Sequence, residues 1–329
     1  MYNLMYNLIT RGVTMKKKFM LSFILSFICF ALIFTFFGEK IFLRNNFTVA
    51  VDNGTDGDSK DNDAVQPKIK NEILFLMMGV DANGVKNYKG IRTDTMMLFK
   101  VNFETGDINL LSIPRDTRVP IKGKEDKINH AHSFGGPELT MQTLRDFLNL
   151  DIDYYVKVDY KAVMEIVKAI GGVEIDVPRR MKYDDPTANP PLHIDLKKGV
   201  QTLYGQEAHD FLRWRKNNDG TGYPEGDIGR IKAQQMFMKE FIKQTLKPKN
   251  LVQLPKFIET YFDYVETNIP LKVIAKGALS AKKINLENMV TKTIPGGGKK
   301  IEGVDYWIYN REETRLIVEE MFADYLLGQ

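Results

Sequence analysis

The apolar positions of this chain fall into three regimes. Phe19 to Phe37 form one unbroken apolar run without charge, Pro or Gly. As a helix its nineteen residues span roughly 28 Å at about 1.5 Å per residue, close to the hydrocarbon thickness of a bilayer. The next stretch, to Lys70, turns polar, with five Asp between Asp52 and Asp63, and reads as a solvated tether. From Glu72 onward, short apolar runs alternate with amphipathic ones. Ile73–Val80 has the continuous apolar character of a buried strand. Thr95–Phe103 and Ile108–Ile113 read as two more strands, joined by a turn at Glu104–Asp107. Pro137 opens a helix to about Leu148. Asp153–Val158 predicts a strand, Tyr160–Ile170 a helix closed by Gly171 and Gly172, and Val173–Val177 another strand. Helices are predicted near Tyr204–Leu212 and Asp227–Leu246. The remainder reads as mostly helical, with one strand near Met289–Ile294. Strands interleaved with helices predict an α/β fold with a central sheet flanked by helices. No tandem repeat or second folded domain is visible. The predicted organisation is a tail (1–18), a transmembrane helix (19–37), a linker (38–70) and one large domain (71–329).

Charge sets the orientation. The chain has 329 residues and a net charge of +4. Ahead of Gly38 stand Arg11, Lys16, Lys17 and Lys18 and no acid, so the entire excess precedes the apolar run. Positive flanks stay in the cytoplasm. The prediction is therefore a single-pass membrane protein with a cytoplasmic amino terminus and an extracellular domain. A cleaved signal peptide would have a shorter apolar core and a small-residue cleavage site, which Gly38-Glu-Lys-Ile-Phe does not offer. The repeated Met-Tyr-Asn-Leu at 1–4 and 5–8 suggests that translation starts at Met15. Residues 71–329 carry 37 basic and 36 acidic side chains, which excludes a generally basic surface of the kind that coats nucleic acid. The single cysteine, Cys29, lies in the predicted span, so the domain holds neither a disulfide framework nor a Cys nucleophile.

Candidate chemistry clusters where strands and helices end, the positions at which α/β folds bind ligands. Asp81 follows the first strand. Arg92 and Asp94 precede the second, and Arg115 and Asp116 end the third. Arg213 and Arg215 flank Trp214, and two residues apart they share a face only in extended chain, so a common site requires the helix to stop near Leu212. Arg230 and Gln234 lie one turn apart on a helix face. Arginine's planar fork matches phosphate oxygens, and two carboxylates among arginines suit a hard divalent ion that also binds phosphate. The set fits a diphosphate. The alternative is that each arginine pairs with a neighbouring aspartate. Other motifs carry less. Asp52, Asp56, Asp58 and Asp63 lack calcium-loop spacing. His130 and His132 have no third zinc ligand in view. Pro295-Gly-Gly-Gly-Lys299 lacks phosphate-loop spacing and predicts a turn.

The strings RTDTMML (92–98), SIPRDTRV (112–119), KINHAHSFGG (127–136), AIGGVEIDVP (169–178) and DIGRIKAQQ (227–235) resemble the LytR-CpsA-Psr family. The resemblance is strong from about Ile73 to Leu246 and weaker beyond. It implies a membrane-anchored phosphotransferase of Gram-positive cell-wall assembly. Such an enzyme moves a glycopolymer (teichoic acid, capsule or secondary wall polysaccharide) from an undecaprenyl-diphosphate carrier to peptidoglycan. The bond made is a phosphodiester to the 6-hydroxyl of N-acetylmuramic acid. By motif, Asp81 and Asp94 would hold magnesium, or manganese in its place. Arg92, Arg115, Arg213, Arg215 and Arg230 would clamp the diphosphate, with Gln234 hydrogen-bonding beside it. Arg92, Asp94, Arg115 and Arg230 would form the catalytic core. The chain departs from many relatives at Ala233, where they carry a second Arg. Loop Lys216–Glu225 is expected to shape the acceptor's way in, and His130 to order its loop by hydrogen bonding. Asp116 and Asp227 are the candidate general bases. Two readings compete: a lipid-diphosphate phosphatase, in which water replaces the sugar hydroxyl, and a non-enzymatic envelope regulator. With at most eighteen residues predicted on the cytoplasmic side, direct DNA contact is not expected.

Overall fold

The architecture follows from strands that are apolar on both faces. A computed structural model describes residues 71–81, 89–188, 191–251 and 264–328. The predicted transmembrane helix (19–37) and linker (38–70) lie outside them. Among the described residues no helix is long and apolar enough to cross a membrane.

In chain order the elements begin with strands β1 (Glu72–Val80), β2 (Thr93–Asn102), β3 (Ile108–Ser112), β4 (Arg118–Ile121) and β5 (Lys124–Lys127), followed by helix α1 (His130–Leu148). Next come β6 (Tyr154–Asp159), α2 (Tyr160–Ala169), β7 (Val173–Val177), β8 (Met181–Asp185), β9 (Leu192–Leu196) and β10 (Gly199–Leu203). Helices α3 (Gly205–Arg213) and α4 (Asp227–Thr245) follow, then a single turn at Pro248–Leu251. The last elements are β11 (Val265–Thr267), α5 (Leu271–Ser280), β12 (Val290–Thr293), β13 (Gly296–Ile301), β14 (Val304–Tyr309) and α6 (Arg311–Phe322).

The central sheet has six strands in the order β11-β6-β1-β2-β3-β12. β1, β2 and β3 form an antiparallel meander, whereas β6 joins β1, and β12 joins β3, in parallel. Alternation sorts the side chains by face. Leu74, Leu76, Met78, Met96 and Leu98 point to one side, where Met141 and Leu144 of α1 and Val318 and Phe322 of α6 cover them. Phe75, Met77, Met97 and Phe99 point to the other, against Met238 of α4. Phe75 and Phe99 are register partners and stack at 5.3 Å, a cross-strand pair of the kind that fixes register. A second core gathers Val173, Ile175 and Val177 of β7 with Phe211 of α3, Trp214, and Phe237 of α4. Helix α4 packs on both cores and so carries its first turn to the place where they meet.

The expected α/β class holds, and β7 has the predicted bounds. Three expectations are corrected. Helix α1 starts seven residues early and breaks at Gly135 and Gly136, so that Pro137 opens its second segment, as predicted. Among the described residues the carboxy-terminal part holds more strands than expected: β11 and the β13–β14 hairpin accompany the expected strand β12. And Gly296–Gly298 lie in a strand rather than a turn. Glycine hides strand propensity, yet Gly296 is required, because a Cβ there would sit 2.2 Å from the Ile308 carbonyl oxygen. The hairpin turns instead at Glu302-Gly303, with φ of 50° and 81°, the positive pair that a two-residue primed turn needs.

Candidate functional site

Each candidate side chain is placed by the end of an element. Gly79 of β1 pairs with Thr95 and Val80 with Thr93, so Asp94 is the extra residue of a β-bulge. A bulge re-aims the side chain it carries. Val80 also pairs with Asp159, the last residue of β6, in parallel. Asp81 and Asp94 therefore emerge on adjoining strand ends. Arg115 lies just beyond β3, in a turn closed by Thr117, whose Oγ1 donates to the Pro114 carbonyl at 2.6 Å. Its own carbonyl accepts from the Asn129 backbone N–H at 3.2 Å. Helix α3 stops at Arg213, one residue past the position the arginine pair demands. Trp214 is extended, with φ −60° and ψ 137°, and only 1% exposed. With Trp214 turned into the core, Arg213 and Arg215 both face the site. Asp227 opens α4 and Arg230 follows one turn later.

These ends surround a cavity of about 610 Å³. Asp94, Arg115, Arg213, Arg215, Arg230 and Gln234 line it, as does Asp227. Tyr183, Leu192, Ile194 and Leu212 give it an apolar wall. The arginines are threaded onto carboxylates. Arg115 pairs with Asp94, and its Nε lies 3.9 Å from Asp116. Arg213 reaches Asp81 at 2.8 Å, and Asp227 takes Arg230 at 2.7 Å and Arg215 at 3.8 Å. The alternative reading of neighbouring ion pairs is thus also realised, but the pairs are incomplete. Among the described residues, the lining has five cations against three carboxylates, counting Lys216 and Asp185, and this excess of positive charge favours an anion. Arg230 feels it most. It is 5% exposed, and its Nε has no hydrogen-bond partner. Burial pulls its pKa down, and the neighbouring Arg115 and Arg215 add to that effect despite Asp227. Arg115 is pushed the other way: burial opposes its charge, but Asp94, Asp116 and Asp227 together prevail. The positive end of α4 points into the same space, a further attraction for an anion.

Not every candidate reaches the cavity. Arg92 is exposed and is not among the lining residues. Asp81 touches the site through Arg213. Asp116 is held by Lys127 at 3.0 Å and lies outside the lining, whereas Asp227 lies within it. Gln234 lines the cavity while its amide donates to the Leu212 carbonyl at 3.2 Å, tying α4 to the end of α3. The loop expected to shape access does line the cavity, through Lys216, Gly220, Gly222 and Tyr223. Asn217 and Asn218 lash it to β8 by accepting from the Lys182 and Asp184 backbone N–H groups, each at 2.7 Å. Sequence reasoning missed Tyr160, Tyr183 and Tyr223, because a tyrosine that lines a site has the same pattern as one that fills a core.

The two histidines do not form a metal pair. His130 Nδ1 meets Asp126 at 2.9 Å, ordering its loop as expected, and His132 Nδ1–H donates to the Ile91 carbonyl at 2.8 Å. Burial, reinforced by Lys157, lowers the His132 pKa against the pull of that carbonyl. The unfolded chain then takes up a proton near pH 6.5 that the folded chain refuses. Stability should therefore decline as pH falls below about 6.5. Thermal unfolding across pH 5–8 should show this slope in the wild type and a shallower one in His132→Gln.

Comparison with known proteins agrees with this geometry. The chain is 33% identical over 255 residues to the polyisoprenyl-teichoic acid–peptidoglycan teichoic acid transferase TagU of Bacillus cereus, covering 77% of this chain and 78% of that one. TagU of Bacillus subtilis is 32% identical, with 75% of each chain covered. Among solved structures, TagV of B. subtilis superposes with a TM-score of 0.63 at 28% identity, over 78% of this chain and 98% of TagV. TagT bound to LIIa-WTA gives 0.60 at 25% identity, over 78% and 91% of the two chains. A sequence profile of the LytR_cpsA_psr family matches residues 41–323, a span that contains every strand end contributing to the cavity, and the chain belongs to that family.

Proposed function

We propose that this protein transfers a glycopolymer of the teichoic acid kind from a polyprenyl-diphosphate carrier to peptidoglycan, forming a phosphodiester at the 6-hydroxyl of N-acetylmuramic acid. The observation that carries the reading is the buried Arg230, with an unpartnered Nε, in a cavity whose lining has two positive charges in excess. Each phosphate of a doubly substituted diphosphate brings one negative charge, the sign that this lining attracts. The sugar hydroxyl attacks the glycosyl-side phosphorus, a new P–O bond forms, and the bridging P–O bond breaks to release polyprenyl phosphate. Negative charge grows on the leaving and equatorial oxygens, where Arg115, Arg213, Arg215 and Arg230 are already in place to stabilise it. The hydroxyl proton needs an acceptor. Of the two candidate carboxylates only Asp227 lines the cavity, which makes it the better placed to receive the proton, with Arg230 paired to it at 2.7 Å.

Asp81 and Asp94 present hard oxygen donors on adjoining strand ends, each balanced here by an arginine. That donor set fits magnesium, or manganese, once phosphate oxygens complete the shell. When bound, the ion would add positive charge beside the reacting phosphate. The reading also places residues 19–37 across the membrane and the catalytic domain outside the cell, beside its lipid-linked donor and its wall acceptor.

Native mass spectrometry of the full chain in detergent tests this reading. Incubation with polyprenyl diphosphate should give a one-to-one adduct, and Arg230→Lys should weaken it. Absence of any adduct with the wild-type protein would remove the lipid-carrier reading.

A further inference from the structure

We infer that Tyr160 is a further substrate-binding residue, a neutral hydrogen-bond donor to a phosphate oxygen of the diphosphate. The inference rests on the diphosphate reading given above and extends it to a side chain that no charge pattern marks.

Three observations place it. Tyr160 directly follows Asp159, whose register partner Val80 precedes Asp81, so the phenol starts from the strand end beside both aspartates. Asp159 fixes the turn by accepting from the Lys161 backbone N–H at 2.9 Å. The side chain lines the cavity together with Asp94, Arg115 and Arg230, yet Tyr160 is only 8% exposed. Its ring is clamped edge-on by His209 at 5.0 Å and 84°. His209 is itself set by Gln206 and Asp210, each 3.3 Å from Nδ1. The ring is therefore held in place at the cavity wall.

The chemistry supports a donor. A hydrogen bond links Thr95 to the phenol, and a phenol can accept from one hydroxyl while donating its own proton to another oxygen. Burial first, and then the charge of Asp94, hold the phenol protonated, with its pKa pushed up to about 12. It stays a donor throughout the physiological range. A neutral hydroxyl adds a donor for a phosphate oxygen without adding charge, and a hydrogen bond to a charged group is a strong one.

Tyr160→Phe keeps the ring and the His209 contact and removes only the hydroxyl. Thr95→Val removes the tether between Thr95 and the phenol but leaves the phenol proton. Titration calorimetry of the full chain with farnesyl diphosphate, with Arg230→Lys as control, separates the outcomes. The expected result is a loss of affinity of about tenfold in Tyr160→Phe, a small change in Thr95→Val, and unfolding temperatures near wild type for both. Wild-type affinity in Tyr160→Phe, while Arg230→Lys weakens binding, overturns the inference and leaves the diphosphate reading standing. Equal losses in Tyr160→Phe and Thr95→Val also overturn it, since the phenol would then only brace the bulge. If the wild-type chain does not bind the probe, both readings fall.

Discussion

Arg230→Ala should lower glycopolymer transfer by about 10²–10³-fold, the usual cost of removing a pre-aligned group that stabilises transition-state charge. The expectation rests on placement. Arg230 is almost wholly buried one turn into α4, ion-paired to Asp227 at 2.7 Å, with its Nε unpartnered. A guanidinium held this way has little room to reorganise when charge develops on a phosphoryl oxygen. Alanine would also leave Asp227 with only Arg215, at 3.8 Å, so part of the effect could arise from instability. Arg230→Lys separates the two. It keeps the positive charge but replaces the planar fork with a point charge. Its unfolding temperature should stay near wild type while transfer still drops by about tenfold or more. Full activity in Arg230→Lys would show that the fork geometry contributes nothing.

Asp94→Asn should be comparably severe, with transfer falling by about 10²–10³-fold. Asparagine preserves the shape at the bulge and removes the charge. Two consequences combine. Arg115 loses the carboxylate that holds it and keeps only Asp116, at 3.9 Å from its Nε. The proposed magnesium site also loses one of its two carboxylates. Raising the magnesium concentration separates these effects: partial recovery would place the loss at the ion, and a flat response would place it at Arg115. Circular dichroism should show an unchanged fold, because Asp94 lies near the start of β2, at a bulge, and outside the apolar cores. Transfer at the wild-type rate would mean that Asp94 has no part in the reaction.

Much of this was legible in the sequence, for reasons that differ by element. β1, β2 and β3 are apolar on both faces, and such runs admit few readings other than buried strands. The stop in α3 could be reasoned from Arg213 and Arg215, since two arginines two residues apart share a site only off a helix. Asp94, Arg115, Arg213, Arg215, Arg230 and Gln234 do come together. Other features had no local signal. The β13–β14 hairpin begins with three glycines, of which Gly296 is required by the close approach of Ile308 across the ladder, a contact made only in the fold. Tyr160 and Tyr223 line the cavity through tertiary placement. Asp116 and Asp227 look equivalent in sequence, and only the fold shows that Asp227 lines the cavity while Asp116, held by Lys127, does not. Arg92 sits within the string RTDTMML, yet its side chain is exposed outside the cavity lining.

The central claim is that the cavity joins a lipid-linked glycopolymer to peptidoglycan. Reconstituted transfer tests it most directly: full-length protein in detergent, polyprenyl-diphosphate-linked teichoic acid, peptidoglycan and magnesium, with the linkage of the product read by mass spectrometry. The account predicts polymer bound through a phosphodiester to N-acetylmuramic acid, released polyprenyl phosphate in equal amount, and neither product from Asp94→Asn. Free polymer with unmodified peptidoglycan would contradict it, and would identify the cavity as that of a lipid-diphosphate phosphatase.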